Sequence, residues 1–438
     1  MDKLNRRGFL RSGLIGAAGV VTLSNDMVIG AQPQPDKKFI YRTLGKTGLK
    51  LPVIGMGVMN SDNPSLVKAA YEKGIVFFDT ANVYQNGRNE EMLGNVFKDY
   101  PRSSFVLTTK VQPSLMRGAG TPANAMSPED FISKFNTSLD RLKMDYVDIL
   151  YMHSVSTPEM VSYQPLVEAM QRLKKEGKVR FIGISTHSLP AIIDEMVKAG
   201  TWDVVLATYN FLGKVRVEPR MPPPPRDIDT TSPNRSQQEP PRQMDSEMMR
   251  RMNEGSPVSE MDIALRKANE AGLGVVAMKT IAGGGFLDKE RTKPINTTAA
   301  IKWVLNNPNV HVAIPGMTNF DQLELNMKIL EDISMNEQEK KDIILAQAEK
   351  GLYCTSCRNC KPGCKLNLPI PDLMRAYMYA YGYKNLAQAH NLLNELSTGD
   401  DPCKNCSICT ATCSRRFDLK EKITDISRLV NIPADFIS

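Results

Sequence analysis

The chain has 438 residues, and at roughly 150 residues per domain this is enough for two or three domains with a large buried core. Hydrophobic residues make up 42% and charged residues 24%, which argues against a disordered chain, a collagen-like fibre and a membrane bundle. The formal net charge of +7 does not come from a basic patch interleaved with aromatic residues, so the composition does not favour nucleic-acid binding.

The first residues predict an export signal. The twin arginine Arg6-Arg7 is followed by Phe-Leu and then by an uncharged stretch from Ser12 to Ser24. This stretch is shorter than the about 20 apolar residues that cross a bilayer comfortably. It resembles a twin-arginine (Tat) signal, which implies that residues 1–31 direct export to the periplasm through the Tat machinery, or remain as a membrane anchor if uncleaved. A disordered basic terminus is the alternative.

Residues 39–345 alternate strand-like and helix-like segments after a hairpin-like start. Capping pairs at Asn63-Pro64 and Ser127-Pro128 predict helix starts. This alternation predicts an α/β fold, a (β/α)8 TIM barrel. An open doubly wound sheet is the alternative, but GMGVMN lacks the third glycine of the usual dinucleotide turn. Eight apolar runs predict strands that begin at Val53, Ile75, Phe105, Val147, Arg180, Asp203, Gly274 and Val310.

One segment, residues 213–257, interrupts this alternation. It holds nine of the 28 prolines and follows the sixth predicted strand, which places it on the C-terminal rim of a barrel. We expect a lid or a disordered loop there. Methionines in and beside it predict a helix that packs over the barrel mouth, with a soft-metal site as the alternative: Met244, Met248, Met249, Met252 and Met261.

Polar residues end four consecutive predicted strands. They are Asp79, Lys110, His153 and Ser185, and Tyr84 follows Asp79 in the next loop. Each one alone has a structural explanation, such as a helix cap, a rim lysine or a hydrogen-bonded core histidine. Together they bring a carboxylate, an ammonium, a phenol and an imidazole to one rim, which favours a catalytic site.

Here the chain resembles the aldo/keto reductase superfamily, from about Phe39 to about Leu330. The matching segments are FFDTANVYQNGRNEEMLGNVF, TTK, RLKMDYVDILYMH and KKEGKVRFIGIS. The resemblance implies a catalytic tetrad of Asp79, Tyr84, Lys110 and His153 that interconverts a small-molecule carbonyl and an alcohol. A cation beside the phenol is expected to lower its pKa from about 10, so that Tyr84 can protonate the substrate oxygen.

The resemblance also implies a nicotinamide cofactor, NAD(P)(H), with Ser185 at its carboxamide and Asn326 at its adenine. Other positions depart from the family pattern. Thr186, Leu206 and Met278 stand where an Asn, a Gln and a stacking Tyr are usual. Gly316, Met317 and Gln322 stand where many members have a Lys, a Ser and an Arg that contact a 2'-phosphate. The three glycines from Gly283 to Gly285 are either a pyrophosphate contact or a flexible turn.

All eight cysteines lie at or after Cys354, in two copies of C-x2-C-x2-C-x3-C. This pattern resembles two-cluster bacterial ferredoxins, which implies two [4Fe-4S] clusters and makes the fourth cysteine of each run a ligand of the other cluster. Zinc is the competing metal. We expect residues 346–438 to be a ferredoxin-like domain with helices in PIPDLMRAYMYAY and NLAQAHNLLNEL. The implied ligand sets are Cys354, Cys357, Cys360 and Cys413 for one cluster and Cys403, Cys406, Cys409 and Cys364 for the other.

These features together predict an exported oxidoreductase that is linked to two iron-sulfur clusters. Clusters are assembled in the cytoplasm, so a Tat route for folded proteins agrees with the cysteine pattern. Two alternatives remain open at this point. One is an electron-transfer subunit that docks a redox partner protein, and the other is a barrel that has lost catalysis and acts as a binding module.

Overall fold

The computed structural model describes residues 38–114, 122–214, 259–283, 295–348, 354 and 358–437. The predicted signal and nearly all of the predicted insertion lie outside these ranges, as do Cys357, Gly284 and Gly285. Of the five methionines, only Met261 is within them, and it packs against the barrel core.

A parallel sheet of eight strands forms the centre of the described structure. All eight predicted runs contribute a strand, and each strand pairs with the next in chain order. Parallel bridges from Ile54 to Ala313 and from Gly57 to Gly316 join the two ends of the sheet, as in a (β/α)8 barrel. The strands are β3 Met56–Gly57, β4 Phe77–Asp79, β5 Val106–Val111, β6 Val147–Met152, β7 Val179–Thr186, β8 Val204–Thr208, β9 Gly274–Met278 and β10 Val312–Ala313.

Helices surround this sheet. The two predicted capping pairs are confirmed, because Asn63 and Ser127 accept hydrogen bonds from backbone N–H groups of the first turn of their helices. Side chains alternate between the barrel interior and the helix layer, as Phe77 and Phe78 do. The helices are α1 Pro64–Glu72, α2 Arg88–Phe97, α3 Pro128–Leu142, α4 Pro158–Val161, α5 Gln164–Lys175, α6 Leu189–Ala199, α7 Glu260–Glu270, α8 Thr297–Leu305, α9 Phe320–Glu331 and α10 Glu337–Ala348.

An antiparallel hairpin, β1 Tyr41–Thr43 and β2 Lys50–Pro52, lies at the N-terminal end of the barrel. Leu44, Leu49 and Leu51 pack with the side chains that fill the barrel interior. The hairpin therefore covers this end with apolar side chains, which leaves the C-terminal rim for polar chemistry.

The C-terminal segment, which we call the tail (the described residues from 354 to 437), is mainly helical. It contains α11 Ile370–Tyr377, a π-helical turn Met378–Gly382, α12 Leu386–Leu396 and α13 Leu419–Ser427. The two helices predicted there are therefore present. The tail shares one hydrophobic cluster with the barrel, in which Phe211, Leu212 and Ala299 pack with tail side chains such as Leu373 and Tyr379.

Within the ranges given above, no helix is long and apolar enough to cross a membrane.

Candidate functional site

A buried ion pair lies at the ends of two neighbouring strands. The Nζ of Lys110 on β5 donates to Asp79 Oδ2 on β4 at 2.6 Å and to the Thr80 carbonyl oxygen at 2.6 Å. Asp79 Oδ1 accepts from the Thr108 hydroxyl at 2.6 Å. Burial lowers the pKa of Lys110, and the charge of Asp79 opposes this shift. The pair is fixed because both partners sit on adjacent parallel strands.

Tyr84 lies beside this pair. The Lys110 ammonium donates to the Tyr84 hydroxyl at 3.2 Å and lies 4.7 Å from the centre of its ring. The ring of His153, directly after β6, meets the Tyr84 ring edge to face at 6.1 Å. The structure thus brings Asp79, Lys110, Tyr84 and His153 together. The Tyr84 phenol contacts both the Lys110 ammonium and the His153 imidazole.

The loop that carries Tyr84 is held by side chains that the sequence analysis did not identify. Asn89 donates to the carbonyl oxygens of Val58 at 2.8 Å and Ser61 at 3.1 Å, and it accepts from Thr80 at 2.6 Å. A polar residue on the inward face of an amphipathic helix was the available signal. These bonds tie the loop after β4 to the loop after β3, and they fix where Tyr84 begins its turn.

A second buried group, Glu90, supports the same region. It accepts from the Thr109 hydroxyl at 2.6 Å and pairs with Arg141 at 3.4 Å, while Arg141 also donates to the Asn82 carbonyl oxygen at 3.1 Å. Burial raises the pKa of Glu90, and these hydrogen bonds counteract the rise. At Gly87, where φ is 92°, any Cβ would overlap the Arg141 guanidinium.

The residues implied for a nicotinamide cofactor are spread along the same rim. Ser185 and Thr186 are buried at the end of β7, and Met278 ends β9. Gly316 follows β10, where an added Cβ would meet only the Gly57 carbonyl oxygen, at 3.8 Å. Asn326 lies buried on α9, the helix that follows β10.

At the predicted 2'-phosphate positions the structure shows no cation among the residues described here. Met317 is fully buried in the core. Gln322 accepts from the Thr318 backbone N–H at 2.8 Å, which engages its side-chain oxygen locally. Thr186 likewise accepts from the Ser188 backbone N–H at 2.9 Å and shapes the turn after β7.

The tail covers the C-terminal rim of the barrel. Asn385 donates to Asn60 at 3.1 Å, and Asn391 donates to Asn86 at 3.4 Å, so α12 is tied to the loops after β3 and β4. Tyr383 lies close enough to Tyr84 for the two phenols to influence each other, and burial raises the pKa of Tyr383. The mouth of the barrel therefore has a wall made by the tail.

A second lysine lies at this contact between barrel and tail. The Lys279 ammonium, directly after β9, is 5.2 Å from the ring centres of both Tyr379 and Tyr383. Burial, together with the nearby charges of Arg375 and Lys110, lowers its pKa to about 7. Burial, together with the charges of Arg375 and Lys279, lowers the pKa of His187 well below its usual value, and His187 Nδ1 lies 2.6 Å from the Thr208 hydroxyl.

The cysteines line two cavities in the tail. One is lined by Cys364, Cys403, Cys406 and Cys409, and the other by Cys354, Cys360 and Cys413. Burial, together with the other three thiols of its cavity, raises the pKa of the Cys403 thiol to about 11. The division follows the crossed pattern of the sequence analysis, because the last cysteine of each run joins the other run.

The seven described cysteines form no disulfide bonds. Within the described ranges, no group of three or more His, Cys, Asp or Glu side chains has an arrangement that could hold a metal ion. The side chains of the two cavities therefore share a lining without forming a closed ligand set.

The comparisons with known proteins concern mainly the barrel. The sequence pattern of the aldo/keto reductase family matches residues 54–222. L-galactose dehydrogenase of Arabidopsis thaliana is 35% identical over 191 residues, which are 40% of this chain and 57% of that enzyme. A probable voltage-gated potassium channel subunit beta from the same plant is 28% identical over 323 residues, 67% of this chain and 92% of that protein.

A solved structure agrees with the fold. An aldo-keto reductase from Bacillus halodurans, in its holo form, superposes with a TM-score of 0.50 at 20% identity, covering 72% of this chain and 98% of that one. The chain spans little more than half of the length of L-galactose dehydrogenase, at 57%. The matched segment includes Asp79, Tyr84, Lys110 and His153. Residues 54–222, which hold all four of these side chains, therefore match the aldo/keto reductase family.

Proposed function

We propose that the protein is an oxidoreductase of the aldo/keto reductase type that interconverts a carbonyl and an alcohol. The observation that carries this proposal is the contact of the Lys110 ammonium with both Asp79, at 2.6 Å, and the Tyr84 hydroxyl, at 3.2 Å. A buried ammonium next to a phenol stabilises the phenolate, which makes the phenol a better acid.

Each side chain of the tetrad has a separate task in this proposal. Tyr84 Oη gives its proton to the carbonyl oxygen, and Lys110 Nζ stabilises the phenolate that remains. Asp79 holds Lys110 in place and offsets its buried charge. His153, across the Tyr84 ring, donates a hydrogen bond to the substrate oxygen and orients it. In the reverse direction the Tyr84 phenolate accepts the alcohol proton.

The strand ends also fit a nicotinamide, which would supply or accept the hydride when bound. Ser185 offers a buried hydroxyl at the carboxamide position, and the backbone of Gly316 is open to close approach. We propose that Ser185, Thr186, Met278, Gly316 and Asn326 hold it. Among the described residues, Met317 and Gln322 place no cation near a 2'-phosphate, so that phosphate would have no charged partner at these two positions.

We also propose that the tail binds two [4Fe-4S] clusters. The two cysteine-lined cavities support this, since four thiols of the first and three of the second are those that the crossed pattern requires. Clusters of this kind supply or accept one electron at a time. Cys357 is the fourth ligand of the second set in the proposal.

Export through the Tat route to the periplasm completes the proposal. It rests on the twin arginine and the short apolar stretch near the start of the chain. Changing Arg6 and Arg7 together to lysine should leave the protein in the cytoplasm with its signal intact. Cell fractionation with an antibody against the barrel measures this, and unchanged export of the variant would contradict the Tat route.

Replacing Tyr84 by Phe tests the catalytic proposal. With NADH or NADPH and 4-nitrobenzaldehyde, Y84F should lose about 100-fold or more of kcat, because the proton donor is absent. The matched control is Y100F, which alters a tyrosine on the outside of the barrel that contacts Glu72. Turnover by Y84F within about threefold of the unaltered protein would show the catalytic assignment to be wrong.

Anaerobic purification from the export compartment tests the cofactors. About eight irons and eight sulfides per chain, together with NAD or NADP found by mass spectrometry of released small molecules, are expected. Zinc in place of iron would contradict the clusters. The absence of nucleotide, with no binding on titration, would favour the two alternatives, an electron-transfer subunit that docks a redox partner protein or a binding module.

The binding module is the second candidate, and the similarity to a probable potassium channel subunit beta favours it. In that case the barrel would contact a partner protein without turning over a substrate. The geometry of the tetrad argues against this candidate. Burying the Lys110 ammonium and the Asp79 carboxylate costs desolvation free energy, and a barrel that only binds a partner does not need that pair.

A further inference from the structure

Lys279 has a backbone conformation that most residues avoid. Its φ is 56°, in the left-handed region, and it carries a Cβ. The Asn210 side chain holds this turn by donating to the Lys279 carbonyl oxygen at 3.1 Å. Residues held in this region are frequent at functional sites, because the surrounding structure must offset the strain. The turn sends the side chain from the end of β9 toward the tail.

The ammonium of Lys279 is held by parts of both domains. The ring centres of Tyr379 and Tyr383 each lie 5.2 Å from its Nζ, and both tyrosines belong to the tail. This distance is within the range of cation–π attraction, which steers the ammonium without neutralising its charge. The position is therefore built by the barrel and the tail together.

The group formed by Lys279 and its neighbours Lys110 and Arg375 contains more cations than paired carboxylates. Lys110 is paired with Asp79 at 2.6 Å, and Arg375 is paired with Asp372 at 3.0 Å. No acidic side chain in the described part of the chain forms an ion pair with Lys279. A bound anion would offset this positive charge, and it would gain from the partial exclusion of water.

This position lies next to the reacting group. Tyr383 lies close enough to Tyr84, and Tyr379 close enough to Lys110, for their charges to influence one another. The Lys110 ammonium in turn donates to the Tyr84 hydroxyl at 3.2 Å. A molecule whose carbonyl oxygen meets Tyr84 can therefore place a substituent near Lys279.

We propose that Lys279, framed by Tyr379 and Tyr383, binds an anionic group on the substrate, either a carboxylate or a phosphate. The proposal rests on the proposed function, because it assigns the specificity of the same mouth. It makes a tail that carries cysteine cavities part of the substrate site.

Two aldehydes of similar shape test the proposal in the intact, cluster-loaded protein. The probes are 4-carboxybenzaldehyde and the neutral 4-nitrobenzaldehyde. K279M should lower kcat/KM for the carboxylate by about tenfold or more and leave the neutral aldehyde within about twofold, because a charge-assisted contact is lost. K279R keeps the charge and should restore part of the preference. K50M is the matched control, since Lys50 also lies over a tyrosine ring, that of Tyr41, at the other end of the barrel.

The dissociation constant of NADH, measured by fluorescence titration, distinguishes the source of the anion. An unchanged value in K279M, together with selective loss of the carboxylate aldehyde, supports a substrate group. A weaker NADH complex with equal losses for both aldehydes would assign the anion to the cofactor and overturn the proposal. Equal kinetics of K279M and K50M would overturn it as well.

Calorimetric titration with terephthalate separates this proposal from the proposed function, because it needs no turnover. Terephthalate should bind the unaltered protein and K279R more tightly than K279M, by about tenfold. If no variant reduces any aldehyde but this difference remains, the proposed reaction fails while the anion site stands. If K279M is folded by circular dichroism and binds terephthalate as the unaltered protein does, the anion site is refuted.

Discussion

Replacing Asp79 by Asn tests how the buried ion pair supports both stability and catalysis. Asn keeps the shape and an oxygen for Lys110, but it removes the negative charge that now lies 2.6 Å from the ammonium. Lys110 is fully buried, so its charge would be left without a counter-ion. Breaking a buried pair in this way costs about 3–5 kcal/mol. The free energy of unfolding of D79N should fall by that amount near neutral pH.

The pH dependence of D79N follows from the direction of the Lys110 pKa. Burial already lowers this pKa, and Asp79 is the largest influence that raises it. Without Asp79, the folded protein should release the Lys110 proton while the unfolded chain still binds it. Because the unfolded state then holds more protons, the stability of D79N should increase as pH rises from neutral toward about 10, the usual pKa of lysine.

Urea denaturation at two pH values measures both effects, and D194N provides the control. Asp194 pairs with Lys267 on the surface, where 78% of the aspartate side chain is exposed. Loss of that pair should cost less than about 1 kcal/mol and should not depend on pH in this range. The reasoning is refuted if D79N is no less stable than D194N, or if its stability falls as pH rises.

Three further predictions concern other parts of the molecule. At Gly363 a Cβ would lie 2.7 Å from the Thr410 carbonyl oxygen, so G363V should separate the two cysteine runs. Its iron content should fall below that of a G399A control. Equal iron content in the two variants would contradict the packing argument. The pKa of Lys279 is about 7, whereas that of His187 is too low for it to gain charge. The preference for 4-carboxybenzaldehyde over 4-nitrobenzaldehyde should therefore be larger at about pH 6 than at about pH 8. A ratio of initial rates with the two aldehydes that stays constant with pH would argue against a role for the ammonium. N89A removes three hydrogen bonds beneath the Tyr84 loop and should lower kcat about tenfold or more while tail iron stays the same, so an unchanged kcat would remove Asn89 from the support of Tyr84.

Much of the barrel is predictable because its signals are local. Each strand is a short apolar run, and capping residues such as Asn63 mark helix starts within one turn of the chain. The ends of parallel strands share one rim, so polar residues such as Asp79 and Lys110 could be placed together from the order of the strands alone. The same reasoning does not extend to Asn89, whose partners lie in two other loops.

The position of the tail is not predictable in this way. The sequence predicts helices in the segments that form α11 and α12, but the contact of Asn385 with Asn60 joins residues 325 positions apart. Such contacts depend on how two finished surfaces fit, and no local pattern encodes that fit. The contacts of Lys279 with Tyr379 and Tyr383 are not predictable for the same reason, since they form only where the barrel and the tail pack together.

One helix connects the cysteine cavities to the mouth of the barrel. Ile370 at the start of α11 lines both cavities, and nine residues later, about 13 Å along the helix, Tyr379 reaches Lys279. The π-helical turn Met378–Gly382 widens the helix there, so Tyr379 and Tyr383 fall on one face with ring centres 6.1 Å apart. Because a single element carries both sets of contacts, we expect a change at the cysteines to shift the wall of the mouth. The tail therefore lines the site that holds Tyr84, and the specificity that we propose for Lys279 does not depend on whether electrons pass between the tail and the barrel.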